Sequence, residues 1–344
     1  MDTQYITNMS PQDLLKHVGH MDQVAGIKQL EAADGLARGS RQFQVWTGSG
    51  LSFDVLADRA LDISACQYKG IPLAWASAVG EIHPAFFEPE GMGWLRSFGG
   101  GLLATCGLDH WGPPASDLGQ EVGLHGRVSN LPARYVSYHA GWKGDEYELE
   151  ISGEVRQASV FGENLVLQRH ISTRLGSSAI HITDVVTNEG FASHPHMILY
   201  HFNLGFPLLS KDTHLHVDAE ETVPRDAEAE SGLADWMNFH PPMAGYQEQV
   251  FRHTPRAEND GRVQVEARNP NLGLGLRLTY DNTNLPYLVQ WKMMGEGMYV
   301  LGIEPVNCGV LQGRAAARER GVLPFLEPGE NRRYELEIEV IEYP

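Results

Sequence analysis

Cysteine is scarce in this chain: Cys66, Cys106 and Cys308 are the whole complement, odd in number, widely spaced and without a CxxC pair. That excludes a disulfide framework, a zinc ribbon and a dithiol redox motif, and it predicts three reduced thiols in a cytoplasmic protein. Basic residues are also in short supply, with 26 Lys and Arg against 44 Asp and Glu and a formal charge of -18. Such a surface repels phosphate backbones and anionic lipid headgroups, so neither nucleic acid nor a membrane is an expected partner. No window reaches the roughly 18 apolar residues of a membrane-spanning helix. Residues 1–10 carry acids and polar groups where a secretory leader needs a basic start and an apolar stretch. Linkers, internal repeats and low-complexity segments are absent as well, which predicts one domain over 1–344, with a helical segment at 1–23 and β structure over 24–344.

What the chain has in quantity is short strands and turns. Only the beginning reads as helical, where Ser10 offers an N-cap, Pro11 the first helical position and Asp13 an acid at the third, followed by Leu14, Leu15 and Val18. From about residue 24 the apolar period becomes two, as in Phe43 and Val45, then Leu51, Phe53 and Val55. Strand-like runs recur at 61–68, 147–155, 165–173, 179–187, 196–202, 263–267, 274–280, 287–293, 298–304 and 334–341. With 37 glycines and 19 prolines between them, and no helix-sized amphipathic run, the fold class is all-β, a sandwich or barrel. Residues 81–123 and 219–251 read as long irregular stretches that wall a pocket. Residues 314–320 read as one or two turns of helix, with a solvated surface connection as the bland alternative.

Three segments carry candidate chemistry. In 197–203 the strand period places Leu199, His201 and Asn203 on one face, a polar spot on an apolar wall. In 298–305 it places Val300, Gly302 and Glu304 together, and a glycine two residues before a strand-end carboxylate leaves a concavity where a ligand ring can lie. The bland alternatives are a satisfied core histidine and a glutamate reaching solvent. In 123–132, glycines on both sides of His125 let the backbone bend, and Arg127 brings a planar cation. Arg96, among Trp94, Phe98 and the glycines 99–101, has the same character, and neither glycine pattern for phosphate binding is met. Trp291 offers an apolar ring face to a ligand and Lys292 a polar contact, against the alternative of core and rim. His110 is a second-tier contact in the pocket loop.

In this order the segments resemble the aldose 1-epimerase (galactose mutarotase-like) superfamily, most closely its bacterial DUF4432-like branch. The resemblance rests on 57–63 and 68–73, on Arg96 with its glycines, and on Leu124-His125-Gly126-Arg127 with Asn130 and Pro132. It continues through Val186-Thr187-Asn188, Tyr200-His201-Phe202-Asn203-Leu204, Gly302-Ile303-Glu304 and Leu326-Glu327-Pro328-Gly329-Glu330. The histidine strand departs from the longer Asn-His-Thr-Tyr-Phe-Asn form of the galactose mutarotases, and the loop 81–123 is unlike theirs.

The resemblance implies a large antiparallel β-sandwich of the galactose mutarotase-like supersandwich type, in which Glu304 is the base and His201 the acid for interconverting sugar anomers. His125, Arg96, Arg127, Asn203, His110, Trp291 and Lys292 would then contact the sugar. Such catalysis needs two groups with separated pKa values and no metal or cofactor. The expected partner is a small-molecule sugar, with a homodimer left open. Two other readings compete. His194 with His196, and His214 with His216 beside Glu220, have the spacing of a cupin-like metal site. A non-catalytic carbohydrate-binding or sensing module is the other, although a pure binder has no need of an acid and a base together.

Overall fold

Period-two patterning becomes antiparallel strand along most of the chain. The structure is a computed structural model that describes residues 9–343; residues 1–8, most of the segment assessed above for a leader, and residue 344 lie outside it. Helix α1 (Pro11–Leu15) begins where Ser10 caps it, the serine hydroxyl accepting from the Asp13 N–H at 3.1 Å. Six strands follow: β1 (Gly26–Glu31), β2 (Arg41–Trp46), β3 (Leu51–Leu56), β4 (Asp62–Tyr68), β5 (Ile71–Pro72) and β6 (Leu103–Leu108). After the small hairpin β7 (Ala115–Asp117) and β8 (Gln120–Val122) come β9 (Arg134–Lys143), β10 (Glu146–Ala158), β11 (Asn164–Arg174) and β12 (Ala179–Asn188). The chain continues through β13 (His194–Pro195), β14 (Met197–Leu204), β15 (His214–Val217), β16 (Ala219–Pro224), helix α2 (Ala227–Ser231) and β17 (Gln249–Pro255). It closes with β18 (Arg262–Asn269), β19 (Leu274–Asp281), β20 (Tyr287–Gly295), β21 (Met298–Val306), helix α3 (Arg314–Glu319), β22 (Phe325–Leu326) and β23 (Asn331–Glu342).

Two large antiparallel sheets result. Among the described residues the first runs β1-β2-β3-β4-β6-β14-β21-β20-β17-β16 with β5 on β4, and the second runs β15-β18-β19-β23-β12-β11-β10-β9. Their facing sides form the main core, where Val55, Tyr200 and Phe202 of the first sheet meet Ile151, Leu167 and Ile182 of the second. A buried ion network crosses this core. The Arg169 guanidinium on β11 pairs with Asp184 at 2.7 Å and Asp62 at 2.9 Å. Tyr200 donates to Asp184 at 2.8 Å, and Thr105 donates to Asp62 at 2.6 Å. The outer side of the first sheet is covered too, with Cys106, Met197, Leu199, Val289 and Val306 packed under Trp94 and Phe98.

Double-sided burial explains one departure from the sequence reading. Strand β6 lies inside the stretch 81–123 read as irregular, yet it sits mid-sheet with every residue buried, so it has no polar alternation to signal a strand. Strand β9 was missed for the opposite reason: it is a sheet edge with mostly exposed side chains. The stretch 219–251 likewise holds β16, α2 and the start of β17.

Residues 314–320 are not a solvated connection. Arg314 is buried and pairs with Asp109 and Asp117, each at 2.8 Å, because β7 and the end of β6 bring two carboxylates to the start of α3. The histidine pairs do not assemble. His196 is enclosed, its ring nitrogens facing the Leu108 carbonyl at 2.8 Å and the Tyr334 hydroxyl at 2.7 Å, while His214 and His216 are exposed on the second sheet. The three cysteines are buried and unpaired. Among the described residues no helix is long and apolar enough to cross a membrane.

Candidate active site

Strands β14 and β21 are neighbours, and their register brings a histidine and a glutamate side by side. On one row across the sheet, Ala104 of β6 faces His201, and Glu304 faces Val289 of β20, which in turn faces Arg252 of β17. His201 Nε2 lies 3.2 Å from Glu304 Oε1. That contact is not a hydrogen bond, and Glu304 Oε1 and His201 Nδ1 both lack a hydrogen-bonding partner. Two buried polar groups are thus left with unused valence, which in a native protein calls for an explanation.

Gly302 makes room for this arrangement. A Cβ at that position would stand 2.4 Å from Glu304 Oε1 and 2.9 Å from the Trp291 Cβ, so the carboxyl folds back along its own strand into space that any side chain would fill. Burial sets the protonation of the pair. It pushes the Glu304 carboxyl well above its ordinary range, with the nearby Glu248 adding to the rise and Arg225 opposing it. It lowers the His201 imidazole to about 3. Both directions follow from the cost of holding charge away from water.

The pair opens onto a cavity of about 650 Å³. Leu199, Val289 and Trp291 continue its floor, and Trp94 and Phe98 rise on one side. Arg225, Glu248 and Val250 form the other side, and Leu311 and Gln312 extend the wall. His125 enters from a loop in which its own φ is +56° and that of Gly126 is +72°. A Cβ on Gly126 would meet the His110 carbonyl oxygen at 2.5 Å, so this turn needs glycine there. The His125 ring packs edge-on to His201 at 5.9 Å and against Trp94 at 4.8 Å, and burial holds its pKa well below the usual range. The Trp291 indole N–H donates to Glu248 at 2.8 Å, and Glu248 pairs with Arg225 at 2.9 Å.

Residues 37–340 match the family described as a domain of unknown function, DUF4432. The chain belongs to the DUF4432 family. Among solved structures it is similar to a Klebsiella pneumoniae protein assigned provisionally as an aldose 1-epimerase, with 26% identity, TM-score 0.86, and coverage of 94% of this chain and 86% of that one. A galactose mutarotase-like protein from Clostridium acetobutylicum shares the fold at 13% identity and TM-score 0.65, covering 93% of this chain and 99% of that one. Galactose 1-epimerase from Lactobacillus acidophilus shares it at 12% identity and TM-score 0.60, covering 93% and 100%. No curated protein sequence matches. These likenesses make the DUF4432 chain a branch of the aldose 1-epimerase and galactose mutarotase-like superfamily, with its β-sandwich.

Of the residues singled out in the sequence, the DUF4432 fold brings His201, Glu304, His125 and Trp291 to the cavity and leaves the others outside its lining. Arg96 is largely exposed and lies 3.3 Å from Glu88; Arg127 is half exposed and lies 3.6 Å from Glu163. A guanidinium is costly to desolvate, and both keep an exposed position beside a carboxylate outside the cavity. Asn203 shares the face of His201, but its amide donates to the Gly101 and His201 carbonyls, each at 3.0 Å, and so ties down the strand end. Lys292 follows Trp291 and therefore points to the opposite side of the sheet, where Nζ donates to the Asp235 carbonyl at 2.9 Å. His110 is buried behind the wall, its Nδ1 accepting from the Arg314 N–H at 3.4 Å. Sequence reasoning missed Trp94, Phe98, Arg225 and Glu248 as lining residues. The aromatic pair stood in a segment already quoted for Arg96; nothing local distinguished Arg225 and Glu248.

Proposed function

We propose that this chain is an isomerase of the aldose 1-epimerase kind, interconverting the anomers of a small sugar through Glu304 and His201. The observation that carries the reading is the 3.2 Å approach of His201 Nε2 to Glu304 Oε1 on the floor of an aromatic-lined cavity. Two proton-transfer groups that close suit two oxygens on one carbon, which is what an anomeric centre presents. Trp291, Trp94 and Phe98 offer the ring faces that sugar C–H surfaces prefer.

Ring opening moves one proton each way. A Glu304 carboxylate takes the proton from the anomeric hydroxyl, the C1=O bond forms as the bond from C1 to the ring oxygen breaks, and a His201 imidazolium protonates that oxygen. The pair ends as neutral carboxylic acid and neutral imidazole, the state that burial favours. Rotation of the aldehyde and the reverse transfers close the ring on the other face. The two ends of the half-reaction are therefore two proton arrangements of one net-neutral pair.

The test is two-dimensional exchange NMR on a panel of aldoses, comparing anomer exchange with and without protein. Exchange faster than the spontaneous rate for at least one sugar is expected. Glu304→Gln should lower it by roughly 10²–10⁴-fold while sugar binding persists. A sugar that binds but whose anomers exchange no faster than in buffer, in wild type and variant alike, would leave a binding module in place of an isomerase.

A further inference from the structure

We propose that the sugar accepted here is an uncharged aldose with a deoxygenated or alkylated position, a 6-deoxyhexose being the simplest member of the class; this deepens, and rests on, the isomerase reading above. Charge comes first. Among the described residues that line the cavity, Arg225 is the one Lys or Arg, and it is already held by Glu248 at 2.9 Å and Asp226 at 2.8 Å. Arg96 and Arg127 turn away to Glu88 and Glu163. A phosphate, sulfonate or carboxylate on the sugar would lose its hydration, find no free cation and face Glu248 and Glu304.

Polarity is the second consideration. Among the described lining residues the buried polar atoms without a partner are His201 Nδ1 and Glu304 Oε1, where the hemiacetal would sit, and the indole N–H of Trp111. The Gln312 amide oxygen accepts from Arg320 at 2.9 Å, and the Glu248 carboxylate is held by Trp291 and Arg225. Elsewhere the surface belongs to Leu124, Leu199, Val250, Val289 and Leu311, all buried side chains without a polar atom. At the rim, Met92 and Leu95 are 55% and 47% exposed and continue the apolar surface outward. A hydroxyl turned toward these aliphatic side chains gives up water and gains no partner, whereas a methyl group there gains contact.

The experiment compares matched triplets, each a parent aldohexose, its 6-deoxy counterpart and its 6-phosphate, in the gluco, galacto and manno configurations. Binding is read by calorimetry and saturation-transfer NMR, and anomer exchange is read separately. In at least one configuration the 6-deoxy sugar should bind about tenfold or more tightly than its parent, and the phosphate should not bind. Val250→Thr, which adds a hydroxyl to the wall at nearly constant shape, should shrink the ratio, at the cost of a somewhat lower unfolding temperature. Equal or tighter binding of the parent in every configuration, binding of a phosphate, or binding of no sugar at all would overturn the proposal. If the binding order holds but no anomers exchange, the isomerase reading fails and the ligand class survives; fast exchange of parent and 6-deoxy sugars with equal affinity gives the reverse.

Discussion

His201 and Glu304 share one environment and respond to it in opposite senses. Burial keeps a proton on Glu304 above the 4.5 of an ordinary glutamate, and keeps one off His201 down to about 3 instead of 6.5. For Glu304, whose folded pKa is raised, the associated stability is complete below 4.5 and is lost as pH rises through the folded value. For His201, whose folded pKa is lowered, it is complete above 6.5 and is lost as pH falls toward 3. Glu304→Gln should therefore gain on wild type as pH climbs above 4.5, and His201→Gln should gain as pH drops below 6.5, each by about 1.4 kcal/mol per pH unit inside its window. Urea unfolding of the three proteins across pH measures both slopes. Differences that stay flat would mean that the two groups titrate as exposed ones do.

A strand's contribution to the site is geometric, and β21 shows how much of it is local. The alternation of Val300, Gly302 and Glu304 with Tyr299, Leu301 and Ile303 is readable in the sequence, and the structure sends Leu301 and Ile303 into the main core. The purpose of Gly302 is only half readable: a gap two residues before a carboxylate implies a hollow, but that the carboxyl itself lies in the hollow depends on Trp291 and His201 closing the other sides. Gly302 does not have a positive φ, so alanine is acceptable to its backbone and only the space forbids it. Gly302→Ala should displace Glu304 and reduce anomer exchange about 10²-fold while circular dichroism stays near wild type, the contact with the Trp291 Cβ costing some unfolding temperature. Undiminished exchange would show that the carboxyl does not need that gap. Strands β6 and β9 set the limits of such reading, because alternation appears only where one face is wet and the other dry, and they have two dry faces and mostly wet ones respectively.

Across the whole molecule the two sheets are joined by apolar packing and by one enclosed arginine. Arg169 neutralises Asp62 and Asp184, and these in turn accept from Thr105 and Tyr200, so the strands behind His201 are held in register from the core side. Removing the cation leaves two enclosed carboxylates unmatched; Arg169→Met is expected to cost about 3–5 kcal/mol, read by urea denaturation. A loss below 1 kcal/mol would mean that the acids simply take up protons and that the sheets do not depend on the network.

Composition, period and the order of short motifs were enough to establish an all-β chain, its superfamily and the two strands carrying His201 and Glu304, because strand alternation is a local steric property and motif order needs no coordinates. Which arginines face a ligand, which strands are buried twice and what the cavity wall is made of were decided only when distant segments met. A long charged side chain settles beside a carboxylate that folding brings within its reach, and nothing around Glu88, Glu163 or Glu248 announces in the sequence which guanidinium each will hold.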